Sequence, residues 1–360
     1  MAELKTFSKD ELARTGKYPV CGTNYGWEQE PIDKLNTPIT PKENWRRFIS
    51  REEFSWVPDV YEDMNVVYPD LIPDNVACGY EGGVDAFGAL WVPNPDNPML
   101  PAFIDSKNPV VGSLEEWRQI EIPDVDSWDW KGEGSEYLSL SKDRPSCGVV
   151  LTGFYERMIS LCSYEEAAAS LYECPEDVQE LLDVICDHNI ALVEHLHDYC
   201  GCDTLILHDD WGTQRSMAFS EDALREFFLP RVKRVVNRAH ELDIFFILHS
   251  CGSVAKFVPA MIEAGVDMWE FNYEAVQDDI AKTIKDFGDQ IFFHGYIGDI
   301  HPFSSDNEEF AKQVEALYDS LAATGACSLS ILDYEDRGIN LQDFRYEMER
   351  RFADKIFGRK

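Results

Sequence analysis

A chain of 360 residues, 44% apolar and 12% aromatic, has the material for a large buried core and is not a disordered polymer. Acidic residues outnumber basic ones 67 to 32, a formal net charge of −35, and such a surface repels nucleic acid and anionic membranes as partners. No apolar run approaches the roughly 20 residues that cross a bilayer, and the polar start Met1-Ala-Glu-Leu-Lys-Thr lacks the apolar centre of a signal peptide, so a cytoplasmic location is expected. In a reducing compartment the ten scattered cysteines read mostly as small buried hydrophobes, including Cys200-Gly-Cys202 at a helix-to-strand turn.

Residues 1–110 are irregular and rich in Pro, Asn and aromatics. A helix is expected from Pro41, because proline suits a first turn, and the pieces Trp56-Val-Pro and Gly83 to Val92 read as extended. From residue 148 the pattern becomes regular. Strands are expected at 148–152, 203–208, 244–249, 266–271, 290–294 and 326–332, each followed by helical periodicity, with stops at Gly201, Gly265, Gly288 and Gly325. The first two helical stretches run over 155–172 and 175–199, and the last over 340–357. Strict alternation implies parallel pairing with right-handed crossovers. Two further strands from the first 110 residues would close an eight-stranded barrel, whereas an open doubly wound sheet lacks its glycine-rich phosphate loop here. The expected architecture is therefore α/β, a (β/α)8 TIM barrel in one domain, with an N-terminal extension and first helix over 1–55 and the barrel over 56–360.

In such barrels the chemistry gathers at the C-terminal strand ends. Read in order, those ends carry Tyr155-Glu156-Arg157, His208-Asp209-Asp210-Trp211, His249-Ser-Cys251-Gly252, Glu270 with Asn272, His294 with Tyr296, and Asp333-Tyr334-Glu335. His249 and Cys251 stand two apart on an extended backbone and so point the same way; imidazole and thiolate are good zinc ligands. Each other residue has two readings. His208 and His294 are either core histidines or site residues, and Asp209 and Asp210 either cap a turn or bind substrate. Those two carboxylates are adjacent on a strand end, so at most one faces the pocket centre. Arg157 is a salt-bridge partner or an anion clamp, and Trp211 a stacking surface or a cover for the barrel mouth.

The ordered set His249-Ser-Cys251-Gly252-Ser, Ile262-Glu-Ala-Gly-Val-Asp267, His294-Gly-Tyr-Ile-Gly-Asp299, Asp209-Asp210-Trp-Gly-Thr-Gln and Phe227-Phe-Leu-Pro230, with Thr40-Pro-Lys-Glu-Asn-Trp and Val84-Asp-Ala-Phe-Gly, resembles the uroporphyrinogen decarboxylase superfamily of (β/α)8 barrels over most of residues 38–357. Within it the chain is more similar to the cobalamin-dependent methyltransferase branch. The Arg-Gln-Ala-Gly-Arg-Tyr segment with which true decarboxylases grip porphyrinogen carboxylates is absent.

The branch implies zinc held by the His and Cys of His-x-Cys and by a later cysteine. Cys327 is that cysteine by order, but it begins its strand while His249 and Cys251 end theirs, which at ~3.3 Å per residue sets it roughly 20 Å below the active face. Matching strand ends places Asp333 in its stead, so the expected metal ligands are His249, Cys251 and Asp333. The resemblance further implies methyl transfer between a corrinoid protein and a small molecule (thiol, pterin or methylated amine or ether). Asp210, His208 and Glu270 are then the expected catalytic residues, and Asp209, Trp211, Tyr155, Arg157 and His294 line the cofactor side. The rival readings are a metal-independent lyase of the decarboxylase type and a non-catalytic corrinoid- or ligand-binding barrel.

Overall fold

The computed structural model describes residues 4–24, 27–77, 79–94, 101–298, 303–333 and 336–359. Seven strands form one all-parallel sheet: β1 (Asn65–Val67), β2 (Ser146–Val150), β3 (Thr204–His208), β4 (Phe245–His249), β5 (Met268–Asn272), β6 (Phe292–Ile297) and β7 (Cys327–Ile331). They lie side by side in chain order. Six of them are the strands expected from periodicity, with bounds shifted by up to three residues. Both faces of the sheet are apolar, with Val149, Ile247 and Met268 on the inner face and Leu205, Phe293 and Leu329 on the opposite one, all nearly or fully removed from solvent. The layout is the expected TIM-like (β/α)8 barrel.

The helices follow from local signals. In α1 (Pro41–Ile49), Thr40 accepts the Glu43 N–H at 3.2 Å and proline occupies the first turn. The stretch expected as one helix over 155–172 is two, α3 (Tyr155–Leu161) and α4 (Tyr164–Glu173), because Ser163 stops the first and caps the second through the Glu166 N–H at 3.1 Å. Then come α5 (Pro175–Cys200), α6 (Leu229–Glu241), α7 (Val258–Ala264), α8 (Ile280–Phe287), α9 (Asn307–Leu317) and α10 (Leu341–Phe357). Trp56-Val-Pro is not a strand. Its backbone is gripped by the buried Asn44 side chain, which donates to Trp56 O at 2.9 Å and accepts from Ser55 N at 2.7 Å. The 83–92 segment holds two short antiparallel strands, Gly83–Val84 and Leu90–Val92.

Where an eighth strand was expected, among the described residues the gap between β7 and β1 is filled by one helical turn, α2 (Val60–Asp63). This turn packs against β7. Buried Asp59 caps it, accepting the Tyr61 N–H at 2.9 Å and also the Ser330 hydroxyl of β7. Arg144 holds its far end, donating to Asp63 O at 3.2 Å and Glu62 O at 2.6 Å. The chain termini are tied by Arg350 of α10, whose guanidinium makes two hydrogen bonds, of 2.7 and 2.9 Å, to the Glu11 carboxylate. Every described cysteine is a free thiol, and Cys200 and Cys202 are buried beside the turn at Gly201 as expected. Among the described residues no helix is long and apolar enough to cross a membrane.

Candidate active site at the barrel mouth

Parallel register sets the site. His208 is paired with His249, His249 with Glu270, and Glu270 with His294, so one row across β3, β4, β5 and β6 carries four of the expected residues. The His208 and His249 rings stack at 4.1 Å and 11°. Ligand atoms of His208, Asp210 and His249 all lie within 4.8 Å of one another, a spacing that suits a metal ion.

Glu270 is the hub below. It is wholly buried, and its Oε1 accepts from His249 Nδ1 at 2.7 Å and from the Tyr61 hydroxyl at 2.8 Å. Burial works against its charge, but His249, His294 and Tyr61 hold its carboxyl below the usual range. A carboxylate only accepts, so the His249 proton sits on Nδ1. Nε2 then faces Cys251 Sγ at 3.2 Å and Asp210 Oδ1 at 3.6 Å.

Glu156 serves His208 in the same way, with Oε2 2.7 Å from Nδ1. Burial alone would depress the His208 imidazole, but the charge and hydrogen bond of Glu156, with Asp210 and Glu270, raise it to about 10. A metal ligated by His208 must therefore displace a proton, which makes loading pH-dependent.

The adjacent acids divide as the strand geometry requires. Asp210, with a side chain 35% exposed, faces the mouth and accepts the Cys251 N–H at 2.7 Å. Asp209 turns inward and is wholly buried, taking the Glu156 N–H at 3.0 Å and the Trp211 indole N–H at 2.7 Å. Burial, reinforced by the Glu156 charge, lifts Asp209 to about 7. The loops after β3 and β4 meet backbone to backbone. A Cβ on Gly252, at φ +92°, would sit 2.4 Å from Gly212 C, so the His-x-Cys-Gly glycine is required by this contact.

Several residues expected at the cofactor side belong to the scaffold instead. Trp211 is fully buried against Phe219 and Phe257, so neither a stacking surface nor a cover is available from it. Tyr155 is likewise in the core, edge-on to Phe219 and Phe228. Arg157 is buried between Asp74 at 2.8 Å and Asp85 at 2.7 Å, over the Phe87 ring, which makes it a salt-bridge partner rather than an anion clamp. Buried Asp209 caps α3 in place of binding a ligand.

His294 is buried between Ser328 Oγ at 2.6 Å and Ser330 Oγ at 3.2 Å; burial, with His249 nearby, lowers it to about 4 despite the opposing Glu270 charge. Asp333 forms a two-pronged ion pair with Arg337, which also donates to Ser304 O at 2.6 Å, and it is not one of the clustered ligands. Cys327 begins β7 and is buried, on the far side from the mouth. Asp299, Tyr334 and Glu335 lie outside the described residues.

Sequence reading missed Tyr61, and it named Glu156 without a role. No local pattern marks Tyr61, which lies in the irregular part of the chain. The serines flanking His294 were also passed over, although Ser328 and Ser330 stand two apart on a strand and so share one face.

No curated protein matches the chain. Among solved structures, a methyltransferase from Methanosarcina mazei is 14% identical and covers 95% of this chain and 94% of its own, with a TM-score of 0.58, which establishes a common fold. A candidate vitamin-B12-independent methionine synthase from Listeria monocytogenes (13% identity, 60% of this chain and 65% of that one, TM-score 0.38) resembles it only loosely. The same holds for an intracellular xylanase from Thermoanaerobacterium saccharolyticum (10%, 53% and 66%, TM-score 0.35). The family model described as uroporphyrinogen decarboxylase (URO-D) matches residues 104–327, well over half of the sequence, and the protein belongs to that family.

Proposed function

We propose that this protein is a zinc-dependent methyltransferase that moves a methyl group between a corrinoid carried by a partner protein and a small-molecule substrate. The observation that carries the reading is the tight group of His208, Asp210 and His249 at the mouth, with Cys251 Sγ 3.2 Å from His249 Nε2. Two imidazoles, a carboxylate and a thiol form a donor set that suits zinc. Asp210 and His208 take the place that strand-end matching gave to Asp333, whose charge is already spent on Arg337. The similarity of fold to a methyltransferase supports the same reading.

A zinc ion bound here would act as a Lewis acid, favouring the deprotonated form of a substrate thiol or other heteroatom. The protein's own groups prepare the site. Glu270 keeps the Nδ1 proton on His249 and fixes its ring. Glu156 holds a proton at His208 Nδ1, and Asp210 anchors the loop bearing Cys251 through its N–H. Porphyrinogen decarboxylation needs cationic grips for a polyanion. Two of the arginines that follow strand ends, Arg157 and Arg337, are paired with aspartates.

The test is metal analysis of purified protein combined with methyl transfer to or from free methylcobalamin. About one zinc per chain, lost in His249→Ala and Cys251→Ala, together with measurable transfer, is the expected result. Metal-free protein with an intact fold would favour the lyase reading, and zinc without transfer would favour a binding barrel.

A further inference from the structure

Asn272 ends β5 at the barrel mouth, and the reaction proposed above leaves it without a role. Side chains alternate along a strand, so Asn272 shares the inner face with Glu270, two residues back, while Trp269 and Phe271 pack together on the other face. Register pairs Asn272 with Tyr296 of β6, whose ring centre is 6.0 Å from that of His249. Asn272 therefore stands one layer nearer the mouth than Glu270, and one strand across from the His249-Ser-Cys251 end of β4.

The Asn272 side chain is 2% exposed, and its Oδ1 is buried with no hydrogen-bond partner among the described residues. Local structure does not account for this. Asn272 is the N-cap of the short helix Tyr273–Val276, a place where asparagine ordinarily accepts a backbone N–H, yet its side chain makes no cap hydrogen bond. Buried amide oxygens are rarely left unpaired, because the lost hydration is not repaid. An orphaned one at the edge of a site calls for a donor from outside the chain.

A second acceptor stands beside it. Glu274, in the same short helix, takes the Gly298 N–H at 2.9 Å on Oε1, while its Oε2 is buried and unpartnered among the described residues. Gly298 lies two residues beyond Tyr296, which puts Glu274 a further layer toward the mouth. Glu270 Oε2, the deepest of this line, also lacks a hydrogen bond, but it has His294 Nε2 3.6 Å away. The group that meets Asn272 and Glu274 must be a donor. A primary ammonium has three N–H groups and no acceptor, and its charge suits Glu274; a hydroxyl donates only once, and a carboxylate not at all.

We propose that Asn272, with Glu274 above it, binds a protonated primary amine on the small-molecule substrate. The amine lies a short aliphatic chain away from the heteroatom held at His208, Asp210 and His249, since neighbouring strands are about 4.8 Å apart. The identity of that heteroatom rests on the methyl transfer proposed above, whereas the amine subsite rests on the end of β5.

The test uses the full-length protein near neutral pH and a matched set of thiols: cysteamine (cationic), 1-propanethiol (neutral) and 3-mercaptopropionate (anionic). Binding is read by calorimetric titration under reducing conditions, and methyl transfer from methylcobalamin is read separately. Cysteamine is expected to bind roughly tenfold more tightly than 1-propanethiol, as for a hydrogen bond made by a charged group, and 3-mercaptopropionate more weakly than either. Asn272→Leu should abolish that preference while leaving 1-propanethiol binding unchanged, and Asn272→Asp, which restores an acceptor, should keep it. Should Asn272→Leu fail to fold by circular dichroism, Glu274→Gln replaces it and is expected to lower the preference severalfold. The subsite is overturned by the absence of saturable cysteamine binding, by equal binding of cysteamine and 1-propanethiol, or by an undiminished preference in the folded variant. Preferential cysteamine binding without methyl transfer would support the subsite and overturn the reaction proposed above.

Discussion

Tyr61 and Glu270, 209 residues apart in the chain, share a hydrogen bond of 2.8 Å on the same carboxylate oxygen that accepts from His249 Nδ1. Residue 61 belongs to the turn that fills the barrel wall, so the wall and the His249 corner of the candidate site are one hydrogen-bonded unit. Glu270→Gln replaces a charged double acceptor with a neutral amide. Zinc affinity should fall on the order of 10–100-fold, as is usual when the partner of a ligating histidine is lost. Tyr61→Phe, which removes one donor, should cost only severalfold. Competition with a chromogenic chelator measures both, and wild-type affinity in Glu270→Gln would remove the orienting role.

A second prediction separates the two aspartates offered as ligands. Asp210→Asn and His208→Ala should each lower the zinc content of dialysed protein, whereas Asp333→Asn should leave it unchanged. The cost of Asp333→Asn should appear in stability instead, on the order of 3 kcal/mol in urea unfolding, because the buried Arg337 loses its ion-pair partner. Loss of zinc in Asp333→Asn with the fold intact would return Asp333 to the ligand set.

The Arg157 cluster offers a purely structural test. Asp74 and Asp85 come from the irregular first third of the chain, and Arg157 from the helix after β2, with all three side chains at or below 1% exposure. Asp74→Asn breaks one arm of a buried pair and should cost about 3–5 kcal/mol, read as a lower urea midpoint. A change within about 0.5 kcal/mol would mean that Asp85 alone neutralises the arginine.

His294 gives a pH signature. Its folded pKa is depressed to about 4 against an ordinary 6.5, so in that window the unfolded chain binds more protons than the folded one. The stabilising effect is complete above pH 6.5 and is lost as pH falls through 4, at most on the order of 3 kcal/mol. In His294→Gln the difference in unfolding free energy between pH 7.5 and pH 4.5 should shrink by about that amount. An unchanged slope would assign the acid sensitivity to other groups.

Local signals reached far into this fold. Alternating periodicity, glycine stops and Thr40 before Pro41 anticipated six of the strands, most helices and the face on which His208, Asp210, His249 and Glu270 meet. The rule that neighbouring strand residues diverge is enough to separate Asp209 from Asp210. What eluded sequence reading depended on distant partners. Arg157 looks the same in sequence whether it meets a ligand or Asp74, and Trp211 is hidden by Phe219 and Phe257, which no spacing rule brings together. The eighth segment of the wall was expected as a strand because barrels usually close by backbone pairing. Here side chains close it, through Asp59 to Ser330 and Tyr61 to Glu270.

That mode of closure orders events during synthesis. Asp59 is made early, and its partner Ser330 follows 271 residues later; the Glu11 to Arg350 clasp spans 339. Contacts of such long range form late, after the local strand–helix units have assembled. Until the last strand emerges, Tyr61 has no closed wall to hold it against Glu270, and the candidate site is incomplete. A chain released before β7 would keep most of its strands and its histidines yet be unable to assemble the site, so a finished site certifies a finished polypeptide.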